Sequence, residues 1–464
     1  MINTKQKILV WIRRDLRLKD HTALYQASKD AANIKLVFVF DYHILDPLKQ
    51  KSTEDHRLQF ICESLAELQF RLAPYKSAVL IRYGDPKIEI PMVAQEQQVN
   101  AVYWNRDYSE YPRQRDAAVT NELMAAGIQV QTFQDHVMVE PDTLLNKEQK
   151  PYQVFTPYSN AWRQSIGIPT HKTLIANLEK CGDVGKQPSS TDELLKFCGF
   201  KKTESILKGG EKEGQKQLDI FRTYISNYDT ARDYPYLNQT SYMSVYIRHG
   251  CISIRQLVAL AQEQDSNGAD VWLTELIWRE FYQMIAYHYP HIRTGSFKPK
   301  YQRLEYPGSE EHLEAWKQGQ TGFPIIDAAM RCLNQTGWMH NRLRMLTASF
   351  LCKLALVHWR RGERYFAWKL LDYEFASNNG GWQWASGTGC DAAPYFRIFN
   401  PETQSKTYDK EAKFIKQYCP ELEHLSAKEI HNPLPHLRGH YPLPIIDYKR
   451  HRQLALELYR QVDQ

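Results

Sequence analysis

KILVWI (residues 7–12) and IKLVFVF (34–40) decide the fold. Each is a short, unbroken apolar run, which reads as a strand buried on both faces. Working outward, SAVLIRY (77–83), NAVYW (100–104) and IQVQTF (128–133) repeat the pattern. Helical periodicity fills the gaps, as in HRLQFICESLAELQFRL (56–72) and the stretch after Tyr111. Strands alternating with helices predict β-α-β units and a doubly wound, Rossmann-like parallel sheet. No G-x-G-x-x-G follows the first strand, so the usual dinucleotide fingerprint is missing, and the sheet alone does not give a function.

Residues 135–210 change character, with prolines, glycines and polar runs such as KQPSS and KKTESILKGGEKEG. They are expected to form an interdomain linker with a few short helices, because a long structureless loop is unusual inside one compact domain. From 211 to 464 helical periodicity dominates. In NRLRMLTASFLCKLALV (341–357), Leu343, Leu346, Phe350, Leu354 and Val357 form one apolar stripe. Asn341, Arg344 and Met345 fall on the opposite face, where an amide, a guanidinium and a thioether suit a pocket wall. The expected organisation is an α/β domain (1–134), a linker (135–210) and an all-α domain (211–464), within the two or three domains that 464 residues allow.

The chain is 43% hydrophobic and 24% charged, which is ordinary for a globular protein. Its 12% aromatic content, with 11 tryptophans, can build a core, line a cofactor pocket or stack on bases. The net charge of +6 is a mild tilt, but Arg331 to Lys369 holds eight Lys/Arg against the single acid Glu363. That run reads as a phosphate-facing surface or as a solvated helical face. The eight cysteines are scattered without a C-x-x-C pair, which gives no support to metal or redox motifs. The N-terminal apolar run is too short for a signal peptide, and no stretch is long enough to span a membrane. A reduced, cytoplasmic, monomeric protein is expected.

NNGGWQWASGTGC (378–390) sets two tryptophans beside two glycines. A helix is expected to end near Phe375, with the glycines terminating it and letting a ligand approach the backbone. In an extended chain Trp382 and Trp384 share a side; in a helix they diverge by about 200°. Core tryptophans under a turn are the plain alternative.

The stretch is one of a series: WIRRDLRL at the N-terminus, VFTPYSNAW (154–162), QTSYMSVYI (239–247), TELIWREFY (274–282), GWMHNRLRM (337–345) and DAAPYFRIFNP (391–401). In this order and spacing the chain resembles the DNA photolyase/cryptochrome family over nearly its whole length, most closely the class I cyclobutane pyrimidine dimer photolyases. The resemblance implies a reduced FAD in the helical domain. By similarity, Tyr228, Thr240, Ser241, Met243 and Ser244 would hold its phosphates and ribityl chain. A plain N-cap is the simpler reading of the TSYMS hydroxyls. Arg344 and Asp372 would pair beside the isoalloxazine, next to Tyr373 and Glu374, and Asn378 would face N5. Glu374 stands where the family usually has aspartate.

Photolyases are themselves among the enzymes known to draw their target base out of the stack. The resemblance implies that Trp278 and Trp384 flank a flipped-out thymine dimer and that Glu275 hydrogen-bonds its carbonyl edge. Arg279, Tyr282, Asn341, Arg342 and Met345 would complete that pocket, and Arg232, Arg397 and Gln404 would meet the DNA backbone. An ordinary surface pair is the plain reading of Glu275 and Arg279. Trp382 and Trp359 would begin an electron relay to the surface. Its third ring is Tyr306, where the best-known pattern has tryptophan, and Trp316 is a second outlet. The implied activity is that of a carbon–carbon lyase: excited reduced FAD passes an electron to the dimer, two cyclobutane bonds break, and the electron returns.

An antenna chromophore is usual in the family. Some relatives hold a reduced folate with an Asn-Glu pair, but WNRDYSEYPRQRD (104–116) has Tyr111 and Pro112 at those positions. Deazaflavin, another flavin or no antenna stay open. A cryptochrome is the first alternative. Many carry a long C-terminal extension, whereas this sequence stops at Gln464, which favours the enzyme. A (6-4) photolyase is the second. Those relatives place paired histidines where His340 and Asn341 stand, which favours cyclobutane dimers. A passive single-strand-binding protein is the third, and a retained flavin counts against it.

Overall fold

The computed structural model describes residues 6–167 and 172–462. The first five residues of the N-terminal reading, residues 168–171 of the expected linker and the last two residues lie outside them. Five strands form one parallel sheet: β1 (Lys7–Ile12), β2 (Asn33–Asp41), β3 (Val79–Gly84), β4 (Ala101–Asn105) and β5 (Gln129–Phe133). Their order is β3-β2-β1-β4-β5. β1 is central, with Leu9 in register with both Lys35 and Val102.

Alternate residues of β1 point to opposite faces, yet Ile8 to Ile12 are all buried, so both faces are covered. On one face Leu9, Trp11, Val37, Val39, Val102 and Trp104 pack against Ile90 and Val93 of the Pro86–Glu96 helix and Val119 and Leu123 of the Glu110–Ala125 helix. Each such side chain contributes roughly 1.5–3 kcal/mol of burial. The doubly wound sheet expected from the apolar runs is therefore observed. The helix over 56–72 also starts and stops where its pattern does, with Asp55 accepting from the Arg57 N–H at 2.9 Å as its cap.

The chain forms two compact units, each built from separate segments. One takes in the sheet up to Leu144, Ala161–Ile225 and Ser241–Glu280; the other takes in Leu145–Asn160, Ser226–Thr240 and Phe281 onward. The polar stretch 135–210 holds the Phe155–Ile166 and Thr191–Cys198 helices. The second of these is closed by a Ser190–Glu193 capping box and ends at Gly199 with φ 78°.

The second unit is helical. Its core joins Trp316, Ile326, Phe350, Leu351, Trp359, Phe366 and Trp382. They come from the Glu310–Gln318, Pro324–Thr336, Asn341–Lys353, Trp359–Lys369 and Phe375–Ser386 helices. Two expectations are corrected here. The stripe in 341–357 is not one helix: it ends at Lys353, and Leu354 and Val357 reach the core from a loop in which Leu356 adopts φ 54°. The second correction concerns the glycine stretch. A helix does not end near Phe375; one begins there and runs through both glycines to Ser386.

Candidate functional site

The helix through NNGGWQWAS survives two glycines, each of which costs about 1 kcal/mol in a helix interior, and tertiary packing needs the space at the first of them. A Cβ on Gly380 would collide with the Tyr282 ring, so that ring lies directly on the helix backbone. Gly362, on the facing helix, likewise makes room for the Trp382 ring. Asn379 and Gln383 lock one face: Gln383 donates to Asn379 at 2.8 Å, and Asn379 donates to the Ile292 carbonyl at 3.1 Å. The true terminator is Gly387 at φ 80°. Because the segment is helical, the two tryptophans diverge. Trp382 is buried at 2% exposure, while Trp384 is half-buried and lines a cleft.

Beside this helix lies a polar cluster. The Arg344 guanidinium donates to Asp372 Oδ2 at 2.8 Å and to the Met339 carbonyl at 2.7 Å. Asp372 is 8% exposed, and its other oxygen has no partner. Asn378 donates through Nδ2 to both the side-chain oxygen and the main-chain carbonyl of Glu363, each at 3.1 Å, which leaves its Oδ1 as an acceptor. Glu374 accepts from Gln283 at 3.2 Å, so the longer side chain in this position finds a partner inside the helical unit. A buried acceptor without a donor, a fixed Arg–Asp pair and an amide presenting its oxygen fit the N–H-bearing edge of a flavin ring.

Aromatic rings continue from there. Trp382 meets Phe366 edge-on at 5.0 Å and Trp316 at 5.9 Å, and Trp316 leads on to Tyr365 at 5.8 Å. Trp359 is buried and stacks near His358 at 5.8 Å, and His358 meets Tyr306 at 5.0 Å. The Tyr306 hydroxyl lies 3.4 Å from that of Tyr459, which donates onward to the Ser386 carbonyl at 2.6 Å. Burial pushes the Tyr306 phenol well above its usual range. The His358 imidazole therefore packs against both Trp359 and Tyr306, a contact that sequence reading missed.

The same unit gathers several of the expected nucleic-acid residues. Tyr282, Gly380, Trp384 and Asp391 line one cleft. At the tip of the Asn341–Lys353 helix Asn341 is exposed, with Nδ2 3.9 Å from Met345 Sδ. His340 is 2% exposed and caps that helix, accepting from the Arg342 N–H at 3.1 Å. Burial lowers its pKa to about 4, so the ring is neutral. Arg342 pairs with Asp233 at 2.6 Å and stacks over Tyr408 at 4.4 Å, and Arg232 lies 5.6 Å over Tyr228. Tyr373 is half-buried against the helical core. Arg397 is exposed, and Gln404 carries a buried Oε1 with no partner.

The sheet-bearing unit holds the remaining expected residues. Ser241 Oγ accepts from the Met243 N–H and from Trp272 Nε1, both at 3.3 Å, at the start of the short Met243–His249 helix. Met243 is buried and Ser244 exposed, while Thr240, just across the unit boundary, is half-buried. On the Asn267–His288 helix Glu275 and Trp278 are half-buried. Arg279 is buried and donates to the His136 carbonyl at 2.8 Å. Glu280, which sequence reading missed, accepts from the Met138 N–H at 2.6 Å, the Val139 N–H at 3.2 Å and Trp162 Nε1 at 2.7 Å.

In the sheet, strand order reverses between β1 and β4, where α/β sheets place ligands. Here the guanidinium groups of Arg13 and Arg115 lie 4.6 Å and 4.9 Å from the centre of the Trp11 ring. Tyr111 donates to Asp41 at 2.6 Å, and Pro112 has no side-chain polar group, so neither supplies the amide or carboxylate of a folate clamp.

Fold and site together define a protein with a parallel α/β sheet and a helical unit suited to a flavin. Comparison with known proteins agrees. Residues 8–175 match the DNA photolyase family, and residues 272–461 match the FAD binding domain of DNA photolyase. The chain is 37% identical to the deoxyribodipyrimidine photo-lyase of Alkalihalophilus pseudofirmus, with 100% of both chains covered. A bacterial class III photolyase from Agrobacterium tumefaciens superposes with a TM-score of 0.88 at 30% identity, covering 99% of this chain and 98% of that one. An archaeal photolyase from Sulfolobus tokodaii, solved with two FAD molecules, superposes with a TM-score of 0.84 at 30% identity, covering 98% and 100%. The chain belongs to the DNA photolyase family and carries that family's FAD-binding domain.

Proposed function

We propose that this protein repairs cyclobutane pyrimidine dimers in DNA, acting as a cytoplasmic monomer. Its α/β part (1–134) would take any antenna, 135–210 would connect, and 211–464 would bind FAD and DNA. Bound and reduced, FAD supplies the light-excited electron that opens the dimer and then returns, with no net redox change.

The chain's own residues hold and shield that chemistry. Arg344 fixes Asp372 with one oxygen unpartnered, which would accept from a ring N–H, and Glu363 holds the Asn378 amide so that its oxygen would meet N5. Tyr228, Thr240, Ser241, Met243 and Ser244 hold the phosphate end, with Tyr373 and Glu374 at the ring. Trp278 and Trp384 give apolar platforms for a flipped dimer, each worth ~1–3 kcal/mol. Glu275 hydrogen-bonds its carbonyl edge, with Arg279, Tyr282, Arg342 and Met345 around it. Arg232, Arg397 and Gln404 meet phosphates. Trp382, Trp359 and Tyr306 carry electrons inward to reduce the flavin, not to repair the dimer.

The observation that carries the substrate class is the tip of the Asn341–Lys353 helix. It buries His340 as a neutral cap and exposes Asn341, so an amide, not an imidazole, meets the base. The test uses reduced holoprotein and an oligothymidylate bearing cyclobutane dimers. Thymine absorbance should recover under blue light and not in darkness. No recovery with reduced flavin bound would sink the reading in favour of (6-4) repair or light signalling.

A further inference from the structure

Lys353 ends the Asn341–Lys353 helix and is 1% exposed. Its Nζ donates to the main-chain carbonyl of Arg397 at 3.2 Å, and among the described residues no acid pairs with it. Ser349, one turn earlier, is also 1% exposed, and its Oγ has no partner. A buried cation without a counter-charge is costly, and an apolar side chain would pack there more cheaply. The carbonyl it holds belongs to a segment fixed at further points. Asp391 accepts from the Phe155 N–H at 2.9 Å, Tyr395 lies flat on Tyr459 at 5.7 Å, and Arg397 N–H closes a turn onto the Pro394 carbonyl at 2.9 Å. The side chains this turn presents outward are Phe396, 62% exposed, and Arg397. The Arg397 guanidinium has no acidic partner among the described residues.

We infer that Lys353 is a positioning residue for DNA binding: its buried ammonium pins the Arg397 carbonyl and holds the Pro394–Phe399 turn with Arg397 toward the phosphate backbone. This rests on the reading of the protein as a dimer-binding photolyase. The ammonium makes a charge-assisted hydrogen bond, about twice as strong as a neutral amine would make. Burial pushes Lys353 down to about 8, and the ionisable groups it feels are the Cys352 thiol and Arg397. From the Tyr448–Arg460 helix His451 faces the neighbouring Leu354 carbonyl at 2.6 Å. Below its unfolded value and above about 8, the unfolded chain binds more protons, so folding stability from Lys353 rises with pH. Over the same range the pin loses its charge and weakens. Stability and DNA affinity therefore move in opposite directions, whereas a residue that only stabilised the fold would move both together.

The experiment measures anisotropy of a dimer-bearing oligonucleotide with the flavin-loaded protein from pH 7 to 9, with Tm and flavin content alongside, in wild type, Lys353→Arg and Lys353→Met. Wild-type affinity should fall about 5- to 10-fold across the range, as expected for loss of one charge-assisted bond, while Tm does not fall with it. Lys353→Arg should bind with no such trend. Lys353→Met should bind weakly at every pH with unchanged flavin content. A flat wild-type profile, or the same fall in Lys353→Arg, overturns the inference. If Lys353→Met does not fold, wild type and Lys353→Arg still decide it. Wild type that shows no preference for dimer-bearing over undamaged DNA overturns the functional reading instead, and this inference with it.

Discussion

Asn378 gives both of its amide hydrogens to Glu363, one to the side chain and one to the main chain, each at 3.1 Å. The amide cannot turn over without breaking both bonds, so Oδ1 is the end left for a ligand. Glu363 is the lone acid in a basic run, and burial holds its carboxyl above the usual range. Glu363→Leu removes one of the two bonds, about 1 kcal/mol, and frees the amide to flip. Flavin content should stay the same, while air reoxidation of the bound reduced flavin should quicken several-fold. Unchanged reoxidation would show that the orientation of Asn378 does not matter to the flavin.

Glu280 makes a second prediction, one of pH. Desolvation raises its pKa to about 7, although three N–H donors favour the ionised form. For a carboxyl raised from 4.5, the native state binds more protons than the unfolded chain between 4.5 and about 7. Its contribution to stability is therefore full below 4.5 and is lost as pH rises to about 7, by roughly 1–3 kcal/mol. Glu280→Ala should flatten that part of the stability profile. It should also cost about 2–4 kcal/mol overall, because Met138 N–H, Val139 N–H and Trp162 Nε1 lose their acceptor. Denaturant titrations at pH 5 and pH 8 compare the two proteins.

Much of this was legible in the sequence, and the failures share a cause. The sheet could be read because KILVWI and IKLVFVF are buried on both faces, so local pattern and tertiary environment agree. The 378–390 stretch was misread because two glycines argue locally for a break. The first of them, Gly380, admits the Tyr282 ring, which only the packing reveals, while Gly381 has open space around it. The resemblance named the site's charged residues and the Arg344–Asp372 pair, but not the partners that hold Asn378, Glu374 and Arg342. Nothing in sequence spacing says that His358 lies between Trp359 and Tyr306, or that Lys353 reaches a carbonyl 44 residues away.

The relay gives the third prediction. Oxidising a tyrosine requires its proton to leave, and the hydroxyl nearest Tyr306 is that of Tyr459, whose own hydrogen is committed to Ser386. Illumination of oxidised flavin with an external donor should give a lower reduction yield in Tyr306→Phe, and at least about tenfold lower in Trp382→Phe, which cuts both branches. Dimer repair by chemically reduced protein should survive Tyr306→Phe. A full yield in Tyr306→Phe would move the outlet to Trp316, 5.9 Å from Trp382.

The two glycines of NNGGW predict opposite outcomes for the same substitution. At Gly381 a Cβ would meet nothing within 4 Å, and the residue sits in a helix. Gly381→Ala should stabilise the protein by about 0.5–1 kcal/mol through helix propensity alone. At Gly380 the same methyl runs into the Tyr282 ring, which lines the cleft with Trp384. Overpacking there should cost about 1–3 kcal/mol and displace the ring from the helix. Gly380→Ala should therefore lower both Tm and affinity for dimer-bearing DNA, while Gly381→Ala raises Tm and leaves flavin content untouched. If the two variants behave alike, the close approach of Tyr282 to the helix backbone is not what the first glycine is for.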